Sequence, residues 1–162
     1  MDDACSFGFA RARAGKKSAQ AMADFPAHDI GPAYGQVGIK LVEVMTDGGS
    51  EFTGRAFGRR CAKLGIRWHK LPPRSPNLNA FVERFQASVL HLHYRTAFRC
   101  RFYASDAEID ADLQAWLRYD NFERPHRGYR TRGRIPAAIF YQARPDLLTA
   151  KGWNPDDIKP AA

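Results

Sequence analysis

The chain has 162 residues, 44% of them hydrophobic, which is enough for one domain with a buried core and excludes a disordered chain. Its 25 Lys and Arg outnumber 17 Asp and Glu, and the resulting charge of +8 favours a polyanionic partner such as nucleic acid. No apolar run approaches the ~18 residues of a membrane span, and the first twenty residues lack the apolar core of a signal peptide.

The first half of the chain alternates strand and helix patterns. Residues 7–13 alternate apolar and polar side chains, as a half-buried strand does. Residues 17–36 have a helical pattern that Pro26 and Pro32 interrupt, which predicts a kink or two short helices. The apolar run at residues 39–45 predicts a buried strand.

The same alternation continues beyond residue 54. Residues 55–64 predict a short helix, and Gly65 is placed to cap it. Residues 66–71 alternate again as a strand. A rigid polar loop should follow, marked by three prolines: Pro72, Pro73 and Pro76.

The second half of the chain is predominantly helical in pattern. One predicted helix has apolar residues at Phe81, Phe85, Val89 and Leu92. Ser105 and Glu108 form a capping-box signature, which opens a helix with the apolar stripe Ile109, Leu113, Trp116 and Leu117. After Asn121 the chain is basic and turn-rich, and the last twelve residues are expected to fray. We therefore expect a core at residues 1–142 and a C-terminal tail at 143–162.

Asp47 and Glu83 are the most informative residues. Strands alternating with helices predict an α/β sheet domain, in which ligands bind beyond the carboxyl ends of the strands. Asp47 follows the apolar run 41–45, and 35 residues separate it from Glu83, at the start of a helical pattern. The two carboxylates can therefore converge, and converging carboxylates are what a pair of magnesium ions needs. The alternative is local: Asp47 also suits a turn, and Glu83 a helix N-terminus.

A third acid should come from an earlier strand. The aspartates before Glu43 are Asp2, Asp3, Asp24 and Asp29. Asp24 and Asp29 belong to the helical segment, whereas Asp3 stands just before the predicted strand at residues 7–13. Asp3 is therefore the best candidate, although Asp2 is adjacent.

Basic residues flank these acids in sequence and suit sequence-independent phosphate contacts: Arg67, Lys70, Arg74 and Arg84. Ordinary solvated charge explains each one equally well. A denser basic run, for which we expect DNA contact as a whole, contains Arg124, His126, Arg127, Arg130, Arg132 and Arg134.

The remaining chemistry-bearing residues predict structural roles. His91 and His93 are two residues apart on a predicted helix, so they should point to different sides rather than bind zinc together. Trp68 and Trp116 are expected in the core. The three cysteines are odd in number and form no C-x-x-C pair, which predicts buried free thiols in a reducing cytosol: Cys5, Cys61 and Cys100.

Taken together, the motifs resemble a known family. In chain order they are Asp3, Thr46-Asp47-Gly48-Gly49-Ser50-Glu51-Phe52, Ser75-Pro76-Asn77, Asn79-Ala80-Phe81-Val82-Glu83-Arg84-Phe85, Asn121-Phe122-Glu123-Arg124-Pro125-His126 and Arg134-Ile135-Pro136. This order resembles the DDE catalytic core of bacterial insertion-sequence transposases, which is similar to the retroviral integrase core. The resemblance extends from residue 2 to about residue 142.

The chain also departs from the family pattern. Gly48 stands where the family usually has Asn, and Ala80 where Gly is usual. Gln86 and Ala87 replace the Asn and Arg that many members carry after the glutamate. Leu90 occupies a position where related enzymes often have Lys or Arg, so we expect weaker DNA contacts from this helix.

The resemblance implies an α/β ribonuclease-H-like fold, with a mixed sheet flanked by helices, and a polynucleotidyl transferase activity. Asp3, Asp47 and Glu83 would hold two Mg²⁺ ions, for which Mn²⁺ substitutes. One ion would activate water, or later a DNA 3′-hydroxyl, and the other would stabilise the leaving oxygen. The implied partners are DNA, both transposon ends and target, and further copies of the chain in a homo-oligomer. The implied location is the bacterial cytoplasm, at the nucleoid.

Two other functions stay open. In the resembled family the first aspartate lies within the central strand, and a helix-turn-helix region precedes it. We therefore expect an incomplete first strand and an N-terminally truncated copy. The main alternative is a catalytically inactive remnant that binds DNA or dimerises. The other is a stand-alone ribonuclease-H-like nuclease that acts without strand transfer.

Overall fold

Strands and helices alternate in the first half of the chain, and helices dominate the second half. The structure is a computed structural model that describes residues 1–13, 15, 18–49, 52, 55–72, 76–150 and 152. The chain divides into two units. We call Gly15–Ala80 the sheet unit, and Met1–Ala14 together with Phe81–Ala162 the helical unit.

Within the described residues, the regular elements are two strands separated by a helix, with helices before and after them. In chain order they are α1 (Ala19–Phe25), a π-helical turn (Pro26–Ile30), α2 (Gly31–Gln36), β1 (Glu43–Thr46), α3 (Arg55–Lys63), β2 (Arg67–Lys70), α4 (Pro76–Ser88), a second π-helical turn (Val89–Tyr94), α5 (Arg95–Cys100), α6 (Asp106–Phe122), α7 (Pro136–Phe140) and α8 (Pro145–Ala150).

The first helical segment passes through a widened turn. Ser18 caps α1 by accepting a hydrogen bond from the Ala21 N–H. Pro26 has no N–H to continue the α-helical ladder, and the Gly31 N–H instead donates to the Pro26 carbonyl, five residues back. The predicted interruption is therefore confirmed, and it is a π-helical turn rather than a loop.

The two described strands form a parallel pair. Glu43 pairs with Arg67 at one end, and Thr46 pairs with Lys70 at the other. Helix α3 connects them in a β-α-β arrangement. Gly65 follows this helix at φ +66°, and the Ile66 N–H reaches back to the Cys61 carbonyl at 2.9 Å, so the predicted glycine cap is confirmed.

The core of the sheet unit lies between α1, α3 and the strands. Its buried residues are Ala23, Phe57, Cys61 and Ile66, and Trp68 packs against them as predicted. The Phe57 and Trp68 rings meet edge to face, with centroids 5.3 Å apart. The predicted buried strand at residues 39–45 is wrong in extent, because Ile39, Val42 and Met45 are exposed and β1 begins only at Glu43.

The N-terminal segment of the helical unit is not a strand, so the prediction for residues 7–13 is wrong. Side chains of α6 satisfy its backbone instead. The Gly8 N–H donates to Asn121 Oδ1 at 2.7 Å, and Asn121 Nδ2 returns a bond to the Gly8 carbonyl at 2.9 Å. The Ala12 N–H donates to Asp110 Oδ1 at 2.8 Å. The alternating pattern predicted burial but not the source of the hydrogen bonds.

The π-helical turn after α4 changes which residues face the core. Phe85 and Val89 are buried as predicted, but Leu92 is exposed and His93 takes its place. The buried positions continue four residues on, at Ala97. A π-helical turn holds an extra residue, so the stripe predicted from a period of 3.6 drifts by one position.

Helix α6 supplies the centre of the helical unit. The Glu108 N–H donates to Ser105 Oγ, and Glu108 Oε2 accepts from the Ala104 N–H, which confirms the capping signature. Leu113 and Leu117 are buried with Phe85 and Val89. Trp116 packs against the same cluster, as predicted.

The C-terminal part of the helical unit packs on the N-terminal segment. The Phe7 ring stacks on Phe140 of α7 with centroids 4.5 Å apart. Helix α8 falls within the predicted tail at residues 143–162, and the division at residue 142 stays a prediction. The predicted fraying at 151–162 lies outside the described residues, apart from Gly152.

The cysteines are only partly as predicted. Cys5, Cys61 and Cys100 are free thiols, and the first two are buried. Cys100 is exposed, which contradicts the expectation that all three are buried. In the part of the chain that the structure describes, none of the helices has the length and hydrophobicity of a membrane span.

Candidate active site

Asp47 lies directly after β1, where the sequence placed it. The preceding residue, Thr46, accepts two hydrogen bonds. Its carbonyl accepts one from the Leu71 N–H at 2.8 Å, and its Oγ1 accepts one from the Trp68 indole N–H at 2.9 Å. Asp47 is exposed, and its Oδ1 accepts from the Gly49 N–H at 3.0 Å. The turn predicted as the local alternative is therefore present, and it leaves an exposed carboxylate at a well-anchored strand end.

Glu83 lies in α4 and is exposed. The helix buries Phe85 two residues later, in the cluster with Leu113 and Leu117. Phe81, two residues earlier, is half-buried, with its ring 6.1 Å from that of Tyr129. Aromatic contacts on both sides therefore fix the turn of helix that presents Glu83.

Asp3 does not lie on a strand. It is part of a turn in which the Asp2 N–H donates to the Phe7 carbonyl at 2.8 Å and the Ser6 N–H returns to the Asp2 carbonyl at 2.9 Å. The Asp3 carboxylate accepts a hydrogen bond from Arg130 Nη1 at 2.8 Å. This bond, together with one to Tyr129, raises the pKa of Arg130, so a guanidinium ion occupies one side of the carboxylate.

The convergence of the Asp3, Asp47 and Glu83 carboxylates stays a prediction. Asp3 and Glu83 belong to the helical unit, and Asp47 belongs to the sheet unit. Among the described residues, no group of three or more His, Cys, Asp or Glu side chains is arranged to hold a metal ion. By donor chemistry, the exposed carboxylates of Asp47 and Glu83 fit a hard divalent cation. Asp3 in its observed position does not, because Arg130 already occupies its Oδ2.

The predicted phosphate-binding residues fall into different environments. Arg67 is exposed and lies 3.3 Å from the Glu43 carboxylate. Lys70, Arg84 and Arg127 are also exposed. These four positions are accessible to a polyanion. Arg74 lies outside the described residues.

Two residues of the predicted DNA-binding run also contact a buried carboxylate of the fold, and their contact with DNA stays a prediction. Arg124 Nε donates to Asp120 Oδ1 at 2.6 Å, and His126 Nε2 lies 3.5 Å from Asp120 Oδ2. Asp120 is fully buried, whereas the side chains of Arg124 and His126 are 28% and 14% exposed. Sequence reasoning missed Asp120; the available signal was an acid four residues before Arg124 on a helix.

The two histidines on the α4–α5 segment lie on different sides, as predicted. His91 is exposed and His93 is buried. Burial lowers the pKa of His93, while the Asp112 carboxylate, 3.9 Å from its Nε2, acts in the opposite direction. His93 therefore belongs to the core of the helical unit.

Comparison with known proteins finds similarity to integrases and to proteins of transposable elements. Residues 64–132 match the integrase core domain family, a range that includes Glu83 but neither Asp3 nor Asp47. An uncharacterized 39.2 kDa protein of insertion element IS476 from Xanthomonas euvesicatoria is 36% identical over 101 residues, which are 60% of this chain and 26% of the relative. The retrovirus-related Pol polyprotein from transposon TNT 1-94 of Nicotiana tabacum is 34% identical over 55 residues, 34% of this chain and 4% of the polyprotein. The chain thus spans about a quarter or less of these relatives.

Solved structures agree on the fold. A chain of the simian T-cell lymphotropic virus intasome, in complex with the PP2A regulatory subunit B56 gamma, superposes with a TM-score of 0.59 at 17% identity, covering 78% of this chain and 41% of that one. The catalytic core domain of BIV integrase gives 0.55 at 20% identity, covering 85% and 78%. The fold is the ribonuclease-H-like fold of integrase catalytic cores, as predicted. The chain is thus similar to integrase cores over part of its length, and to an insertion-element protein over 60% of it.

Proposed function

We propose that this chain is the catalytic core of a bacterial DNA transposase, which cuts phosphodiester bonds at transposon ends and transfers the strands to a target. The observation that carries the proposal is the integrase core match around Glu83, at residues 64–132. The position of Asp47 at an anchored strand end and the formal charge of +8 add to it.

In this proposal Asp47 and Glu83 are catalytic carboxylates that hold divalent cations through their oxygens. When bound, a pair of Mg²⁺ or Mn²⁺ ions supplies an activated oxygen nucleophile and charge stabilisation for the leaving oxygen. Asp47 is presented by the end of β1, and Glu83 by the aromatic contacts of α4. The predicted role of Asp3 as a third ligand requires Arg130 to release its carboxylate.

The exposed basic residues give this chain a means of holding DNA. Four of them are exposed and able to contact backbone phosphates, which would position DNA without reading its sequence: Arg67, which also pairs with Glu43, and Lys70, Arg84 and Arg127. Arg124 and His126 contribute to DNA binding only indirectly, through the loop that they stabilise. We further propose that the chain acts on DNA as a homo-oligomer, at the nucleoid of a bacterial cytoplasm.

The test is a nicking assay with the purified chain and a labelled duplex oligonucleotide. We expect nicking that requires Mg²⁺ or Mn²⁺, and its loss in Glu83→Gln and Asp47→Asn with DNA affinity retained. Both substitutions preserve side-chain size, so circular dichroism should show an unchanged fold. Equal nicking by wild type and Glu83→Gln would contradict the proposed active site.

A second function is a catalytically inactive remnant that binds DNA. The contact between Arg130 and Asp3 favours it, because this contact occupies a predicted ligand. The same assay separates the two functions. A remnant binds the oligonucleotide in a salt-sensitive manner but does not nick it with either metal ion.

A further inference from the structure

One side chain of the helical unit, Arg130, contacts two segments that are distant from it in sequence, and also its neighbour Tyr129. Its Nη1 donates to the Asp3 carbonyl at 2.7 Å and to Asp3 Oδ2 at 2.8 Å. Its guanidinium carbon lies 4.8 Å from the centroid of the Phe81 ring. Its Nε donates to the Tyr129 hydroxyl at 2.7 Å. The N-terminal turn and helix α4 therefore meet at one guanidinium, which belongs to the basic run at residues 124–134.

Arginine is suited to this arrangement. Its planar fork can donate to a carboxylate and a carbonyl while its face lies over an aromatic ring. The side chains of Arg130 and Asp3 are 35% and 44% exposed, so water only partly screens the pair. Lysine would keep the charge but lose the planar contact with Phe81.

The contact with Phe81 matters because of its position along α4. Glu83 lies between Phe81 and Phe85, which contact different parts of the helical unit. Phe85 packs in the core, so closely against Gly8 that a Cβ there would lie 2.3 Å from the Phe85 ring. Phe81 has Arg130 over its ring. Loss of Arg130 would leave Phe81 with the looser contact to the Tyr129 ring, 6.1 Å away, and would weaken the hold on the turn that presents Glu83.

We propose that Arg130 is a positioning residue for Glu83 and that Asp3 serves as its acceptor. The inference rests on the proposed function, because the position of Glu83 affects a reaction only if the chain cuts DNA. We call the contacts of Arg130 with Asp3 and Phe81 the clamp. The proposal assigns Asp3 to this clamp rather than to a metal ion. The two assignments of Asp3 predict opposite effects of removing Arg130: a freed ligand would bind cations more tightly, whereas a lost clamp would weaken binding at Glu83.

The first experiment is amide hydrogen exchange of the metal-free 162-residue chain, followed on peptides from α4 and α6. In Arg130→Ala and Asp3→Asn we expect exchange across residues 81–88 to rise roughly fivefold, with exchange around Leu113 unchanged. Arg130→Lys should give an intermediate value. The matched control is Arg99→Ala, which removes an exposed positive charge from α5 of the same unit.

The second experiment measures the Mn²⁺ concentration that gives half-maximal nicking. The clamp predicts a severalfold higher requirement in Arg130→Ala and in Asp3→Asn, with partial rescue in Arg130→Lys. A lower requirement in Arg130→Ala would overturn the proposal and favour Asp3 as a ligand.

The two experiments distinguish the possible failures. Unchanged exchange in Arg130→Ala and Asp3→Asn would overturn the clamp whatever the activity. Faster exchange in a chain whose wild type does not nick DNA would support the clamp and contradict the proposed function. If Arg130→Ala does not fold, Asp3→Asn and Arg130→Lys provide the same comparison.

Discussion

Arg124 donates a 2.6 Å hydrogen bond from Nε to the carboxylate of Asp120, four residues earlier on α6. Asp120 is fully buried, and His126 Nε2 lies 3.5 Å from its second oxygen. A carboxylate buried without a cationic partner is strongly unfavourable. The basic run that follows α6 therefore begins with residues that compensate a buried charge.

Replacing Arg124 with alanine should lower the free energy of unfolding by about 3 kcal/mol, because it leaves the buried Asp120 carboxylate poorly compensated. Urea denaturation followed by circular dichroism measures the change. The matched control is Arg127→Ala, an exposed position in the same run, which should change stability by no more than about 0.5 kcal/mol. Equal stability of the two variants would show that the pair with Asp120 contributes little.

DNA affinity should depend more on Arg127 than on Arg124, the reverse of the order expected for stability. The chain is expected to bind duplex DNA weakly and without sequence preference, and affinity should fall steeply between 50 and 200 mM salt. Arg127→Ala should weaken binding and reduce the slope of log affinity against log salt by about one. Fluorescence anisotropy with two unrelated duplexes measures both quantities. An affinity that does not change with salt would contradict a phosphate-binding surface.

Gly8 should not tolerate a larger side chain. A Cβ at this position would lie 2.3 Å from the Phe85 ring, and both residues are buried. Gly8→Ala should therefore lower the free energy of unfolding by about 1–3 kcal/mol through overpacking. Gly35→Ala is the control, since none of the described atoms beyond its chain neighbours and the nearby backbone of its own helix lies within 4 Å of its Cβ position. Thermal unfolding of the two variants checks the prediction, and similar midpoints would contradict it.

Stability should fall as the solution becomes acidic, in part because of His93. Burial lowers the pKa of His93 from the ordinary value of 6.5, and the nearby Arg101 acts in the same direction while Asp112 opposes it. The unfolded chain therefore binds a proton at this residue before the folded chain does. The contribution of His93 to stability is present at pH 7 and is lost as the pH falls below about 6.5.

The measurement is the free energy of unfolding of wild type and His93→Leu at several values between pH 7.5 and 5. The difference between the two proteins isolates His93 from the carboxylates that titrate in the same range. Wild type should lose more stability than His93→Leu as the pH falls. Parallel curves would show that His93 does not contribute to the acid sensitivity.

Features of the fold that depend on local chemistry were predictable from the sequence. The Ser105–Glu108 cap and the Gly65 helix end follow from a few neighbouring residues, and the structure confirms both. The alternation at residues 7–13 predicted a strand wrongly, because periodicity does not reveal that Asn121 and Asp110 supply the hydrogen bonds. Tertiary partners decide such segments.

The candidate site, too, was only partly predictable from the sequence. The place of Asp47 after a strand and of Glu83 on a helix followed from the sequence pattern, and the structure has both. The sequence pattern did not predict that Asp3 contacts Arg130 or that Arg124 contacts Asp120, because both contacts depend on side-chain packing. The π-helical turn after α4, which buries His93 instead of Leu92, has no signal in a 3.6-residue period.

The most direct test of the account is whether Asp47 and Glu83 hold the same divalent cations. Mn²⁺ binding to the full chain, followed by electron paramagnetic resonance, should be compared for wild type, Asp47→Asn, Glu83→Gln and the double variant. If the two carboxylates share a site, each single substitution should weaken binding nearly as much as the double one, a clear departure from additivity. Additive effects, or Mn²⁺ binding that neither substitution changes, would contradict a shared metal site and with it the proposed catalytic core.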